Sequence, residues 1–100
     1  MTTKTDITNE LNKINGWDVI TFNSHHKMPR GALGFIDHIM HHYKGWIIYI
    51  EVKLYRDVLS EKQKDREKLY TSMMKNNKKF KYYKMTEKNY LEIIEEIWRL

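Results

Sequence analysis

The sequence has no cysteine and one proline, and no apolar run approaches the ~20 residues that span a membrane. Without cysteine, neither a disulfide nor a thiolate zinc site can hold the fold. The polar N-terminal residues do not have the pattern of a signal peptide. We therefore expect a cytoplasmic protein with no membrane partner.

The composition is that of one ordered domain. The 100 residues are 41% hydrophobic and 13% aromatic, which is enough for a core that folds without a second module. No linker, repeat or low-complexity tract interrupts the chain. We expect a single domain over residues 1–100.

Positive charge is concentrated in one part of the chain. Residues 61–84 contain nine lysines and arginines against three acidic residues, whereas the remainder contains nine against ten. This concentration favours a polyanionic partner. A solvated, lysine-rich helix explains the charge alone equally well.

Hydrophobic periodicity and turn residues predict seven elements in the order αβββαβα. Helices are indicated over residues 6–15, 60–77 and 86–100, and strands over 17–22, 35–43, 45–55 and 79–85. Residues 23–34 indicate a loop. The last helix should turn Tyr90, Leu91, Ile94, Ile97 and Trp98 inward. The fold class is α/β (α+β), with a mixed four-stranded sheet flanked by helices.

A tight turn over residues 43–45 would join the second and third strands as a hairpin. His42 then lies opposite Trp46, and the register places Asp37 opposite Glu51. Because side chains alternate, Asp37, Glu51 and Lys53 share one face of the sheet. The other face carries a core stripe of Trp46, Ile48, Ile50 and Val52. A shift of one residue would separate the carboxylates and bury one of them.

The three charged side chains have a chemical use. Two carboxylates ~4–5 Å apart on paired strands repel each other unless a cation lies between them, and oxygen ligands suit Mg²⁺ or Mn²⁺. A metal held by Asp37, Glu51 and the Val52 carbonyl could bind a phosphate oxygen and activate water. Lys53 could position that water or stabilise charge in the transition state. The spacing alone leaves open an ordinary cross-strand salt bridge.

These residues resemble the D…(D/E)-x-K signature of the PD-(D/E)xK nuclease superfamily. Asp37 is followed, after thirteen residues, by Glu51-Val52-Lys53 on an apolar strand. Within the superfamily the chain is most similar to the VRR-NUC family. Gly34 stands three residues before the aspartate, and residues 59–63, Leu-Ser-Glu-Lys-Gln, resemble the family's L-S-x-x-Q opening of the second helix. The resemblance extends over residues 6–97.

The resemblance implies a restriction-endonuclease-like core and an endodeoxyribonuclease that needs Mg²⁺ or Mn²⁺ to hydrolyse phosphodiester bonds. It implies no small-molecule cofactor. The catalytic residues would be Asp37, Glu51, Lys53 and Gln63. In the family this glutamine belongs to the active site, where its amide could orient water or phosphate. Without the family match, a solvent-facing glutamine is the simpler interpretation.

The family also tends to carry a glutamate on the first helix that approaches the metal. Glu10 is the only glutamate on that helix, so the resemblance assigns it to the metal with Asp37, Glu51 and Val52. Asp6 competes for this role, and an exposed helix carboxylate is the alternative for Glu10. The chain departs from the family at Ile36, where a proline usually precedes the aspartate. That position shapes the start of the strand rather than the chemistry.

DNA contacts are expected from the loop and from the basic second helix. The candidates are Lys27, Arg30, Ser60, Lys62, Arg66, Lys75, Lys78 and Lys79. Affinity from such contacts falls steeply with salt. No base-reading motif is visible, which favours recognition of DNA shape over sequence.

Phage-type VRR-NUC proteins are similar to Holliday-junction resolvases, which act as homodimers on two-fold symmetric four-way junctions. The resemblance therefore implies a homodimeric Holliday junction resolvase, located in the host cytoplasm if a phage encodes it. One alternative is a nuclease for flaps, nicked or single-stranded DNA. Another is a catalytically silent nucleic-acid-binding or inhibitor protein with the same fold.

Five histidines, at positions 25, 26, 38, 41 and 42, raise the question of a zinc site. Without cysteine, such a site would require several of them to converge. Their positions on a loop and on both faces of one strand argue against convergence.

Overall fold

The computed structural model describes residues 1–22, 36–55 and 57–100. In these parts of the chain, the elements follow the predicted order αβββαβα. They are α1 Lys4–Asn12, β1 Trp17–Thr21, β2 His38–His42, β3 Ile47–Val52, α2 Glu61–Asn76, β4 Phe80–Met85 and α3 Tyr90–Trp98. The predicted fold class is confirmed. The loop predicted over residues 23–34 lies wholly outside the described residues.

The four strands form one mixed sheet in the order β1-β2-β3-β4. The pairs β1–β2 and β2–β3 are antiparallel, and the pair β3–β4 is parallel. A parallel pair needs a long crossover connection, which α2 provides. In the hairpin, His38 pairs with Ile50, and the amide of His42 donates to the Trp46 carbonyl at 3.0 Å. The predicted register is confirmed.

One face of the sheet packs against α1 and α3. The core on this side combines Ile48, Ile50 and Val52 of β3 with residues from both helices and from β2 and β4. The helix residues in this core include Ile7, Leu11, Ile93, Ile94 and Ile97. Full burial of such a side chain stabilises the fold by about 1.5–3 kcal/mol.

The other face packs against α2 through aromatic rings. Tyr70 of α2 is buried with Phe80 and Tyr82 of β4. The ring centroid of Tyr49 on β3 lies 5.0 Å from those of both Tyr70 and Phe80, in edge-on contacts. Because β3 is covered on both faces, its sequence is almost continuously apolar until Glu51.

The orientation of α3 differs from the prediction at three positions. Leu91 and Trp98 are 61% and 50% exposed, whereas Ile93 is only 8% exposed. Ile93 has the same three-to-four spacing to Ile97 as the predicted inward residues, so periodicity alone allows either face. The helix is turned so that Ile93 enters the core.

Side-chain caps set where the first two helices begin. Thr3 accepts from the Asp6 amide at 3.1 Å, and the Asp6 carboxylate accepts from the Thr3 amide at 2.9 Å. This capping box starts α1 two residues earlier than predicted. Ser60 caps α2 as predicted. In the described parts of the chain, no helix has the length and apolar character required to cross a membrane.

The double-sided packing of β3 predicts a large stability difference between two isoleucines. Replacing the fully buried Ile50 with alanine should lower the free energy of unfolding by about 2–5 kcal/mol. Ile20→Ala, at a side chain that is 40% exposed, should have a clearly smaller effect. Urea unfolding of both variants measures this, and equal losses would contradict the described core.

Candidate active site

The hairpin register brings the two predicted carboxylates to the same end of the sheet. The Asp37 amide donates to the Ile50 carbonyl at 3.1 Å, just beyond the first paired residue of β2. The Asp37 carboxylate then accepts from the Val52 amide at 2.7 Å. Asp37 therefore lies against the backbone next to Glu51. Val52, whose carbonyl was predicted to help hold a metal, belongs to the same corner.

Glu51 is the most unusual charged residue of this corner because it is only 4% exposed. Burial raises the pKa of its carboxyl to about 8, and the negative charge of Asp37 acts in the same direction. The positive charges of Lys53 and Lys4 partly oppose these effects. Near neutral pH, Glu51 therefore holds a proton that a cation at this place would displace.

Gln63 connects this carboxylate to the first turn of α2. The side-chain oxygen of Gln63 accepts a hydrogen bond from the backbone amide of Ser60 at 2.9 Å. The backbone amide of Gln63 donates to the Ser60 hydroxyl at 3.2 Å. The side-chain nitrogen is thereby directed at Glu51 and donates to its carboxylate at 2.8 Å. The predicted proximity of Gln63 to Glu51 is present. In this arrangement the glutamine orients the carboxylate.

Lys53 lies one residue beyond β3 and is held between two acids. Its ammonium is 3.9 Å from the Glu51 carboxylate and 3.9 Å from that of Asp57. The side chain is only 14% exposed, so this ion pair is screened less than a surface pair. Asp57 is not among the predicted site residues. Its position four residues after Lys53 was a visible but weak signal.

The turn that carries Asp57 has an unusual backbone conformation. Tyr55 adopts a positive φ of 58°, a region that residues other than glycine seldom occupy. Its amide donates to the Glu87 carboxylate at 2.7 Å, and its hydroxyl donates to the Thr2 carbonyl at 3.0 Å. These two contacts hold the turn, and with it Lys53, against the N-terminal residues and the connection between β4 and α3.

The two carboxylates of α1 do not complete a three-acid cluster at this corner. Glu10 pairs with Lys13 at 2.9 Å, and Asp6 is engaged in the helix cap. Both line an open cleft of about 770 Å³ that also borders Tyr55 and Glu87. Within residues 1–22, 36–55 and 57–100, no three histidine, cysteine or acidic side chains are placed to hold a metal ion together.

The described histidines have separate surroundings. His38 is buried and shares a 3.0 Å hydrogen bond with Thr21, and burial lowers its pKa. His41 lies 4.0 Å from the carboxylate of Asp18 on the opposite face. The ring of His42 packs at the hairpin turn. His25 and His26 lie outside the described residues.

The predicted DNA-binding residues that precede α2 in the sequence are Lys27, Arg30 and Ser60. Lys27 and Arg30 fall in the part of the chain that the structure does not describe. The hydroxyl of Ser60 accepts a hydrogen bond from the Gln63 amide. In this structure Ser60 has a capping role next to the site.

The basic residues of the second helix fall into two groups. Lys62 and Arg66 lie near the start of α2, close to Gln63. Three others lie at the far end of the helix or just beyond it, namely Lys75, Lys78 and Lys79. Since α2 has 16 residues at about 1.5 Å each, the two groups are well separated.

The donor set of the corner suits a hard divalent cation. Asp37 and Glu51 offer carboxylate oxygens, and Val52 offers a backbone carbonyl in the same corner. Mg²⁺ and Mn²⁺ prefer such oxygen ligands, and Mg²⁺ usually keeps several waters beside one or two carboxylates. A cation here would offset the burial and the Asp37 charge, which together raise the pKa of Glu51.

Comparison of the chain with protein-family models, with curated proteins and with solved structures finds no match. The case for a function therefore rests on the residues and geometry of the corner itself.

The raised pKa of Glu51 predicts a pH-dependent stability. The folded state binds the proton more tightly than the unfolded state, so stability should fall as the pH rises from 4.5 to about 8. In EDTA, the slope from this one group should approach 1.4 kcal/mol, roughly, per pH unit. Glu51→Gln should remove this component, whereas Glu92→Gln, at an exposed carboxyl, should retain it. Urea unfolding across this range tests the prediction, and identical slopes for all three proteins would contradict it.

The contact between Gln63 and Glu51 predicts a rescue. Gln63→Glu keeps a residue suited to the capping box but replaces the amide donor with a second acceptor. At a pH of about 9, above the Glu51 pKa of about 8, both carboxyls are ionised, and in EDTA this should cost about 1–3 kcal/mol of unfolding free energy. Mg²⁺ should recover part of the loss. Adding Glu51→Gln restores a donor and should recover most of it. A double variant as unstable as the single one would show that the contact is not the cause.

Proposed function

We propose that this chain is a metal-dependent, structure-specific DNA endonuclease of the VRR-NUC type that cuts branched DNA, with four-way junctions as its main substrate. The observation that carries the proposal is the carboxylate pair of Asp37 and Glu51, placed with Lys53 at the end of two neighbouring strands. An ordinary salt bridge would lower the pKa of Glu51. Here burial and the nearby Asp37 carboxylate outweigh the lysine and raise the pKa, and a cation between the carboxylates would offset both effects.

Mg²⁺ or Mn²⁺, when bound by Asp37, Glu51 and the Val52 carbonyl, would supply charge neutralisation at the scissile phosphate and a more acidic water. Glu51 must first lose its proton. Gln63 holds the Glu51 carboxylate in one orientation through its 2.8 Å hydrogen bond, which limits the reorganisation needed on binding.

Lys53 is the group of this chain best placed to act on the reacting atoms. Its ammonium lies 3.9 Å from Glu51 and does not donate a short hydrogen bond to it. The ammonium can therefore turn towards a phosphate oxygen or the attacking water. Asp57 keeps the side chain beside the carboxylates. In this role Lys53 stabilises the negative charge that develops on the phosphate.

DNA as the partner is supported by the net charge of +5 and by Lys62 and Arg66 near the start of α2. Such groups contact phosphates and position a duplex without reading its sequence. A homodimer in the cytoplasm that presents two sites to the two-fold axis of a junction completes the proposal.

Cleavage of labelled four-way junction, flap and duplex DNA in Mg²⁺, Mn²⁺ or EDTA tests the function. The wild type should cut the junction only with metal. Lys53→Ala should reduce the rate by about 100-fold or more and should still bind the junction. Lys64→Ala is the matched control, because among the described residues this lysine pairs with Glu61 on the helix surface, and it should retain most activity.

Two results would contradict the proposal. Junction binding without cutting under every metal would favour a catalytically silent binding protein. Faster metal-dependent cutting of flaps or nicked DNA than of junctions would favour a nuclease with another substrate.

A further inference from the structure

The end of the sheet opposite the carboxylate corner carries a second group of exposed residues. We name it the hairpin-end patch and define it as Tyr43, Lys44, Lys75, Lys78 and Lys79. The turn between β2 and β3 supplies the first two residues, and the end of α2 with its connection to β4 supplies the others. The two sets are in contact, because the Lys79 ammonium donates to the Lys44 carbonyl.

Tyr43 is presented to solvent as a rigid ring. It is 84% exposed, yet it stacks on the ring of His42 with centroids 4.5 Å apart and an interplanar angle of 26°. His42 in turn packs on Trp17, with centroids 4.9 Å apart, and its ring accepts from the Lys44 amide at 3.1 Å. A ring supported in this way loses little freedom when a further flat group stacks on it.

Charge in the two segments that form the patch is of one sign, and the nearest acid on the neighbouring strand is Asp18, whose carboxylate lies 4.0 Å from His41. Residues 41–46 and 75–81 contain five lysines and no aspartate or glutamate. The Lys44 ammonium lies 5.9 Å from the Tyr43 ring centroid, a weak contact at an exposed site. A nucleobase stacking on the same ring gains more. It can displace the ammonium, which is then free to bind a neighbouring phosphate.

The patch lies at a defined distance from the carboxylate corner. From Trp46, which bonds to His42 beside Tyr43, to Glu51 is five residues of strand, or about 17 Å. From Gln63 to Lys75 is about 18 Å along α2. At about 3.4 Å per nucleotide step, these lengths correspond to roughly five base pairs.

We propose that the hairpin-end patch is a second nucleic-acid contact, which stacks an unpaired base on Tyr43 and binds the flanking phosphates through its lysines. It deepens the proposed function and rests on it for one point only, the spacing between the unpaired base and the cut. On that basis the preferred junction has its branch point, where bases can splay apart, about five base pairs from the cleaved bond. Recognition of an acidic protein segment would rest mainly on the lysines, whereas the supported, exposed ring favours a nucleobase that stacks on it.

Fluorescence anisotropy in EDTA tests the stacking contact without cleavage. The probes are a blunt duplex, the same duplex with an oligo(dT) tail, and oligo(dT) alone. Tyr43→Ala should weaken binding of the two probes with unpaired bases by about tenfold and leave blunt-duplex binding nearly unchanged. Tyr43→Phe should bind like wild type. Leu91→Ala, at another exposed apolar side chain, is the matched control and should change nothing.

A second pair of variants tests the lysines. Lys75→Gln with Lys78→Gln should weaken binding of all three probes and flatten the salt dependence. Lys13→Gln with Lys88→Gln removes the same charge elsewhere and should have a clearly smaller effect. Thermal unfolding checks that each variant is folded.

Several outcomes would overturn the patch. These are a Tyr43→Ala variant that binds the tailed probe like wild type, equal losses on blunt and tailed DNA, or competition by polyglutamate as strong as by oligo(dT). Failure of the proposed function gives a different result. Binding that depends on Tyr43, without cleavage in Mg²⁺ or Mn²⁺, would support the patch and contradict the proposed nuclease. Metal-dependent cleavage with binding that does not depend on Tyr43 would support the nuclease and contradict the patch.

Discussion

A carboxylate buried beside a second carboxylate is unfavourable unless neighbouring groups compensate, and this constraint on Glu51 governs the design of the site. The Gln63 side-chain nitrogen at 2.8 Å and the Lys53 ammonium at 3.9 Å compensate only in part, since the pKa stays raised. The charge that would complete the compensation is a divalent cation. The unfavourable burial of Glu51 beside Asp37 and the proposed binding of a cation therefore both follow from the closeness of the two carboxylates.

The fold supports this corner from two sides. The alternation of the hairpin directs Ile48, Ile50 and Val52 into one core, which fixes Glu51 on the opposite face. There the aromatic cluster around Tyr70 anchors α2 to the sheet. Because Gln63 both caps α2 and donates to Glu51, helix formation and orientation of the carboxylate depend on the same side chain.

Much of this arrangement could be predicted because it follows from local rules. The alternating pattern and the turn at residues 43–45 set the hairpin register, and Ser60 marks the start of α2. Other features depend on tertiary contacts that leave no regular pattern. Asp57 reaches Lys53 through a turn in which Tyr55, rather than a glycine, has a positive φ. The choice between Ile93 and Leu91 on α3 depends on how that helix leans on the sheet, since both satisfy helical spacing.

Through the contacts of Tyr55, the position of Lys53 depends on the first residues of the chain. Tyr55 joins the backbone at Thr2 and the carboxylate of Glu87 to the turn that follows the lysine. Fraying of the first few residues would thus loosen the lysine's support while the aliphatic interior stayed packed. Under the proposed function, activity would then be lost on mild heating before the protein melts globally.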